Sequence, residues 1–183
     1  MSDTYQKLLI MTAGGHGQVV AETARMIRKY DKIAFLDDGK KALDVVGGLN
    51  EWEKFITPNG EYEGIFPAIG NNEKRKEWMN VFQLHGVKMP VLIHPAAWVS
   101  PSAVIEEGTI VEAMAVVNAN AVVKRGTIVG IGALIDHDAV LEECCHVDAG
   151  AIVHARGVVK ACRKVEAGEV VGEEQSCRFR KRG

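Results

Sequence analysis

The chain has 183 residues and a formal net charge of −2, with 47% hydrophobic and 25% charged residues. That length suits two small domains. The near-neutral charge offers no general nucleic-acid surface, and the sequence contains no run of eighteen apolar residues that could span a membrane.

The opening MSDTYQKLLIM carries too short an apolar run for a signal peptide. Lys7–Ala13 reads as a buried strand, followed by Gly14-Gly15-His16-Gly17 and a helix over Gln18–Tyr30, in which Val20, Ala24 and Ile27 share one face. A strand restarts at Lys32–Phe35 and ends in Leu36-Asp37-Asp38. Another runs over Gly64–Ile69 and ends in Gly70-Asn71-Asn72, before a helix over Glu73–Leu84. Alternating strand and helix predicts a small parallel α/β domain over residues 1–88. The Gly14-Gly15-His16-Gly17 turn, the Asp37-Asp38 pair and Gly70 all fall at strand carboxyl ends, where ligands of doubly wound sheets sit. A glycine turn at a helix start favours an anion such as phosphate, through free N–H groups and the helix dipole. It is equally the form of a tight strand-to-helix turn. The Asp pair suits ribose or sugar hydroxyls or a base N–H; the alternative is a solvated turn with a helix cap.

From Ile93 to Val171 every sixth residue is Ile, Val or Leu: Ile93, Val99, Ile105, Val111, Val117, Val123, Val129, Ile135, Leu141, Val147, Val153, Val159, Val165 and Val171. Four positions after most of these anchors stands a small residue, from Ala97 through Ala115, Thr127 and Ala139 to Gly157. Side chains alternate faces along a strand, so even spacings of six and four send both sets inward. The period does not fit a helix and predicts a parallel β-helix over 89–172, with a polar basic tail over 173–183.

Because the interior of such a solenoid is apolar, chemistry must use outward positions. His137 and Asp138 fall near a corner of the hexad that begins at Ile135, and a carboxylate beside a histidine can fix its tautomer for general-base work. With three hexads per coil, Asn118 stacks on Asp136, which is followed by His154, and Asn120 stacks on Asp138. This polar ladder either orients His137 or satisfies itself on the surface. His146 falls half a coil from His137, so the two can share a site only between subunits. The four cysteines, Cys144, Cys145, Cys162 and Cys177, form no Cys-x-x-Cys pair; no metal site is expected, and reduced thiols suggest a cytoplasmic protein.

The segments TAGGHG, AFLDD, AIGNNEKR, VLIHPAAWVSPSA, VVNANAVV and IDHDAVLEECCHVDAGA, in that order and on the hexad repeat, resemble the bacterial nucleotide-amino-sugar acetyltransferases of the bacillosamine type, grouped with the sialic acid O-acetyltransferases. The resemblance covers about residues 7–160 and implies a homotrimer of left-handed β-helices, each with a Rossmann-like domain in front. It implies His137 as catalytic base with Asp138 raising its basicity; His146, Ala155 and Ala167 at acetyl-CoA, the co-substrate; and Gly14, Gly15, His16, Asp37, Asp38, Gly70 and Asn118 at a UDP-linked sugar. A backbone N–H near Ala155, from the next subunit, would meet the acetyl carbonyl. The chain departs from the family in His154-Ala155-Arg156-Gly157, where Gly-Asn is usual, and in stopping about two coils early.

The expected reaction is transfer of acetyl from acetyl-CoA to the amine of a UDP-linked 4-amino sugar, with sites between subunits and no nucleic acid or membrane involved. Three other readings stand beside it. O-acetylation of a sialic acid uses the same base. A non-catalytic nucleotide-sugar-binding trimer would follow from the short C-terminus. A zinc hydratase of the γ-carbonic anhydrase type would need His137, His146 and His154 at a spacing they lack.

Overall fold

A computed structural model describes residues 6–56 and 61–172; the expected basic tail, with Cys177, lies outside the described residues. Four strands, Gln6–Met11 (β1), Tyr30–Leu36 (β2), Val45–Gly47 (β3) and Gly64–Phe66 (β4), form one parallel sheet in the order β3-β2-β1-β4. Helices Gly15–Ile27 (α1) and Asn72–Leu84 (α2) complete this part. β1 is central, and Leu8, Leu9, Ile10 and Met11 are all buried, as expected for a strand covered on both faces.

Several boundaries differ from those expected. α1 starts at Gly15, inside the glycine turn, and stops where Arg28 enters the left-handed region (φ 56°) and closes its N–H on Arg25 O at 3.1 Å. β4 ends early because the N–H groups of Ala68 and Ile69 fold back on Phe66 O and Pro67 O. Strand β3 and a 3-10 turn at Leu49–Lys54 were not expected; they are too short to carry a period.

The remaining strands are two residues each, and every one ends on a hexad anchor. They form a left-handed β-helix with three faces. The first face stacks Leu92–Ile93, Ile110–Val111, Ile128–Val129, His146–Val147 and Lys164–Val165. The second stacks Trp98–Val99, Val116–Val117, Leu134–Ile135, Ile152–Val153 and Val170–Val171. The third stacks Val104–Ile105, Val122–Val123, Val140–Leu141 and Val158–Val159. Partners are eighteen residues apart throughout, as in Val122↔Val140, so three hexads make one coil. Anchors and small residues pack into one core, with Val117, Ala121, Val123, Ala139 and Leu141 among its fully buried members.

Turning a corner every six residues requires a left-handed backbone. Gly108, Met114, Asn120, Gly126, Gly132, Asp138, Cys144, Gly150, Arg156, Cys162 and Gly168 all have φ between 55° and 71°. Glycine adopts this at no cost, and Asn and Asp tolerate it; Met114 and Arg156 do so under the constraint of the stacked coil.

The α/β part packs on one side of the solenoid. The outward residues Leu92, Ile110 and Ile128 of the first face share a buried cluster with Val20, Ala21 and Ala24 of α1. α2 lies against the corner between the third and first faces. A Cβ at Gly126 would meet Met79 Sδ at 2.1 Å, and one at Gly108 would meet Met79 Cε at 2.8 Å. Arg125 ties the same corner to α2 by bonds to Asn80 and Gln83, and it also bonds Glu143 of the next coil. Among the described residues nothing covers the second and third faces, and their outward residues form apolar ladders: Trp98, Val116, Leu134, Ile152 and Val170 on one, Val104, Val122, Val140 and Val158 on the other.

Candidate active site

The corner between these two uncovered faces carries the polar ladder. His137 and Asp138 form its turn, and Asp138 is its left-handed residue (φ 57°). Asp138 Oδ2 lies 2.8 Å from His137 Nδ1, and Asp138 Oδ1 accepts from Asn120 Nδ2 of the coil below at 3.2 Å. The bond from His137, then that from Asn120, holds the Asp138 carboxyl below its usual range. An ionised carboxylate only accepts, so the ring proton sits on Nδ1 and the Nε2 lone pair is free. Asn118 acts one step back: its Nδ2 bonds Asp136 Oδ1 at 3.2 Å, the oxygen that caps the His137 N–H at 2.7 Å. The ladder therefore holds the His137 backbone through Asp136 and its ring through Asp138.

Ala155 stands one coil from His137 on this corner, as the bond from Arg156 N–H to His137 O (3.1 Å) fixes. Within one chain, His137 and Ala155 therefore share a corner.

A second group of expected site residues gathers at the carboxyl ends of β1, β2 and β4. Asp37 Oδ2 accepts the Ala13 N–H at 2.8 Å, and its Oδ1 accepts those of Gly39 and Lys40 at 2.9 and 2.8 Å. These bonds, led by the one from Ala13, depress its pKa. Asp38 Oδ1 takes the Leu49 N–H at 2.8 Å. Much of the pair's hydrogen-bonding capacity thus builds the loop. Gly14, Gly15 and Gly70 have open space where a Cβ would point, whereas a Cβ at Gly17 would stand 2.0 Å from Thr12 O. Thr12, which the sequence reading passed over, is a β-branched residue at φ 70°. Its N–H bonds Leu36 O at 2.8 Å and its Oγ1 bonds Ala68 O at 2.9 Å, so a strained residue ties the three strand ends together.

His16, in the first turn of α1, faces the first face of the solenoid. Its Nδ1 lies 3.9 Å from Glu112 Oε1, and its Nε2 is buried with no partner among the described residues. Burial, then the nearby Arg75 and His146, pushes the His16 imidazole down to about 4. Burial likewise lowers His146, and it raises Glu112, whose Oε2 accepts the Ile131 N–H at 3.0 Å. His146 is the rung of the first face after Ile128, and Ala167 lies exposed at the corner between the first and second faces.

The expected site residues therefore separate. His137, Asp138, Asn118 and Ala155 occupy the corner opposite the first face. His146, and His16 with its glycine turn, lie on or beside that face. A chain cannot bring its own two groups together. Among the described residues, no group of three or more His, Cys, Asp or Glu side chains could hold a metal ion. No helix among them is long and apolar enough to cross a membrane.

A β-helix of hexads with a parallel α/β domain docked on one face defines a hexapeptide-repeat protein with a Rossmann-like front domain. Residues 7–82 match the PglD N-terminal domain family. The acetyltransferase domain of PglB from Neisseria gonorrhoeae FA1090 is 38% identical, covers 92% of this chain and 86% of its own, and superposes with a TM-score of 0.85. A structure of that domain in complex with acetyl coenzyme A gives 34% identity, coverage of 92% and 93%, and a TM-score of 0.80. PerB from Caulobacter crescentus, in complex with CoA and GDP-perosamine, is 26% identical over 90% of each chain, with a TM-score of 0.66. The UDP-N-acetylbacillosamine N-acetyltransferase of Bacillus subtilis (strain 168) is 35% identical over 118 residues, 59% of this chain; the match spans about half, 52%, of that protein. The chain belongs to the PglB/PglD type of acetyltransferases.

Proposed function

We propose that the protein transfers acetyl from acetyl-CoA to the amine of a UDP-linked 4-amino sugar, in a homotrimer whose sites lie between subunits. The reading divides the chain into a nucleotide-sugar domain at 1–88 and an acyltransferase domain at 89–172, and assigns it to the cytoplasm. The observation that carries it is the His137–Asp138 pair: a histidine with its tautomer fixed, on a corner flanked by two uncovered apolar faces and facing away from its own α/β domain. Burying those faces against further copies would bring the corner of one chain to the His16 and His146 side of another. The relatives solved with acetyl-CoA, and with CoA and GDP-perosamine, support the substrate classes.

In this reading the start of α1, with Gly14, Gly15 and His16, faces the diphosphate, and Gly70 and the Asp37-Asp38 loop border the nucleoside. Asn118 stands toward the sugar at the His137 corner, and His146 and Ala167 line the coenzyme. The neutral sugar amine attacks the thioester carbonyl carbon. His137 Nε2 takes the proton the nitrogen sheds, and Asp138 stabilises the imidazolium. The Ala155 N–H faces the developing oxyanion. The carbon–sulfur bond then breaks, and the coenzyme thiolate leaves and recovers the proton. No covalent enzyme intermediate forms. The test is turnover of acetyl-CoA with a UDP-4-amino-4,6-dideoxy sugar, followed by product mass, for wild type beside His137→Ala. A loss of roughly several hundredfold in the variant is expected; near-normal turnover removes His137 as the base.

A further inference from the structure

Among the described residues, Arg75 is the largest fully buried side chain, and no carboxylate pairs with it. It donates instead to oxygens from three separate segments. In α2 and the loop before it, Nη2 bonds Asn72 Oδ1 at 2.7 Å and Nη1 bonds Ile69 O at 2.7 Å, with Gly70 O at 3.5 Å. In one solenoid coil, Nε bonds Gly126 O at 2.7 Å. In the next coil, Nη2 bonds Cys144 O at 2.9 Å and Cys145 O at 3.2 Å. Asn72 extends the clamp to a third coil through Nδ2 and Cys162 O at 2.9 Å. The residues on either side of this fork are the ones proposed for the two substrates: Gly70 at the nucleotide end, and His146 directly after Cys145.

We propose that Arg75 is a positioning residue that sets the register between the nucleotide-binding strand ends and the coenzyme-facing edge of the β-helix. Burying a cation without an anion costs stability, and an apolar side chain would fill the same space more cheaply. The five donors of a planar guanidinium can satisfy the four oxygens that lie within 2.9 Å of it, whereas an ammonium has only three donors. The fork therefore fixes an angle and a distance between two rigid parts, where simple apolar packing would leave them free to slide. Its charge has a second effect: it disfavours protonation of both His16 and His146.

Arg75→Lys and Arg75→Met in the full chain test this by two routes. The kinetic route rests on the acetyl-transfer reading; the exchange route does not. Amide hydrogen exchange in Arg75→Lys should quicken by about tenfold or more at Ile69–Arg75 and at Ile128 and His146. It should stay unchanged at Leu8–Met11 and Val122–Val123. With acetyl-CoA and the UDP-amino sugar, kcat should fall roughly 100-fold while UDP affinity stays within about threefold, because a misplacement of about 1 Å between held reactants costs that much. If Arg75→Met does not fold, Arg75→Lys decides. Exchange within twofold of wild type at Ile69–Arg75, Ile128 and His146 overturns the proposal, as does a rise spread evenly over the whole chain. Wild type without turnover defeats the acetyl-transfer reading, and the exchange result still decides the role of Arg75.

Discussion

Asp138 Oδ2 lies 2.8 Å from His137 Nδ1, which holds the imidazole proton on the side away from Nε2. Asp138→Asn keeps the size of the side chain and removes the obligatory acceptor. An amide can donate to Nδ1, which places the proton on Nε2 and abolishes the base. The expected result is a fall in kcat of about 100-fold or more, with UDP and acetyl-CoA affinities unchanged by calorimetric titration. A loss under about threefold would mean that the carboxylate does not set the tautomer.

The glycine turn divides by position. A Cβ at Gly15 meets nothing within 4 Å, whereas at Gly17 it would stand 2.0 Å from Thr12 O. Gly15→Ala should hold or raise stability by up to about 1 kcal/mol, as alanine suits a helix better than glycine. Gly17→Ala must push α1 away from the end of β1 and should cost about 1–3 kcal/mol. Urea unfolding of the two variants checks both. If Gly15→Ala lowers UDP affinity in a protein of full stability, that position meets the ligand; equal destabilisation by both would contradict the packing of α1.

The hexad anchors mark the solenoid strands, and a stacking distance of eighteen sets Asn118 on Asp136 and Asn120 on Asp138, as their hydrogen bonds show. Two relationships were hidden. Outward positions are apolar on the second and third faces as well as at Leu92, Ile110 and Ile128, so the pattern does not say which face α1 covers. No pattern in the sequence marks Arg75, and its burial follows only from where α2 docks. A faint signal existed in Gly108, Gly126, Cys144 and Cys162, small residues eighteen apart on the corner that α2 approaches. Asp37 and Asp38 read equally as ligand groups or as a solvated turn with a cap, because a loop built by carboxylates and one that binds through them share a sequence.

The uncovered faces predict self-association. Leu134 lies mid-ladder on the second face, between Val116 and Ile152, and remains 41% exposed. A charge there leaves the inward anchor Ile135 untouched, so Leu134→Glu should fold normally by circular dichroism. Sedimentation velocity should show wild type as a trimer and the variant as a monomer, since an unpaired carboxylate is costly to bury in an interface. Turnover should fall with the trimer, because His137 and His146 cannot meet within one chain. A variant that stays trimeric would place the interface on other surfaces.

His16 links pH to stability with a definite sign. Burial, and then Arg75 and His146, pushes its imidazole down to about 4 in the folded chain, against 6.5 for an ordinary histidine. Between those values the unfolded chain binds a proton that the folded chain refuses. The contribution of His16 is therefore complete above pH 6.5 and declines as the pH falls toward 4. The shift corresponds to about 3 kcal/mol in all, of which about 2–3 kcal/mol falls between pH 7.5 and 4.5. His16→Asn removes this titration and leaves the other acid-sensitive groups in place. Urea unfolding at the two pH values should show wild type losing about 2–3 kcal/mol more than the variant. Equal losses would mean that the folded protein protonates His16 at its ordinary pKa. If a diphosphate binds at the start of α1 as proposed, a neutral His16 offers it a hydrogen bond but no positive charge, and the attraction rests on the N–H groups of the first helical turn.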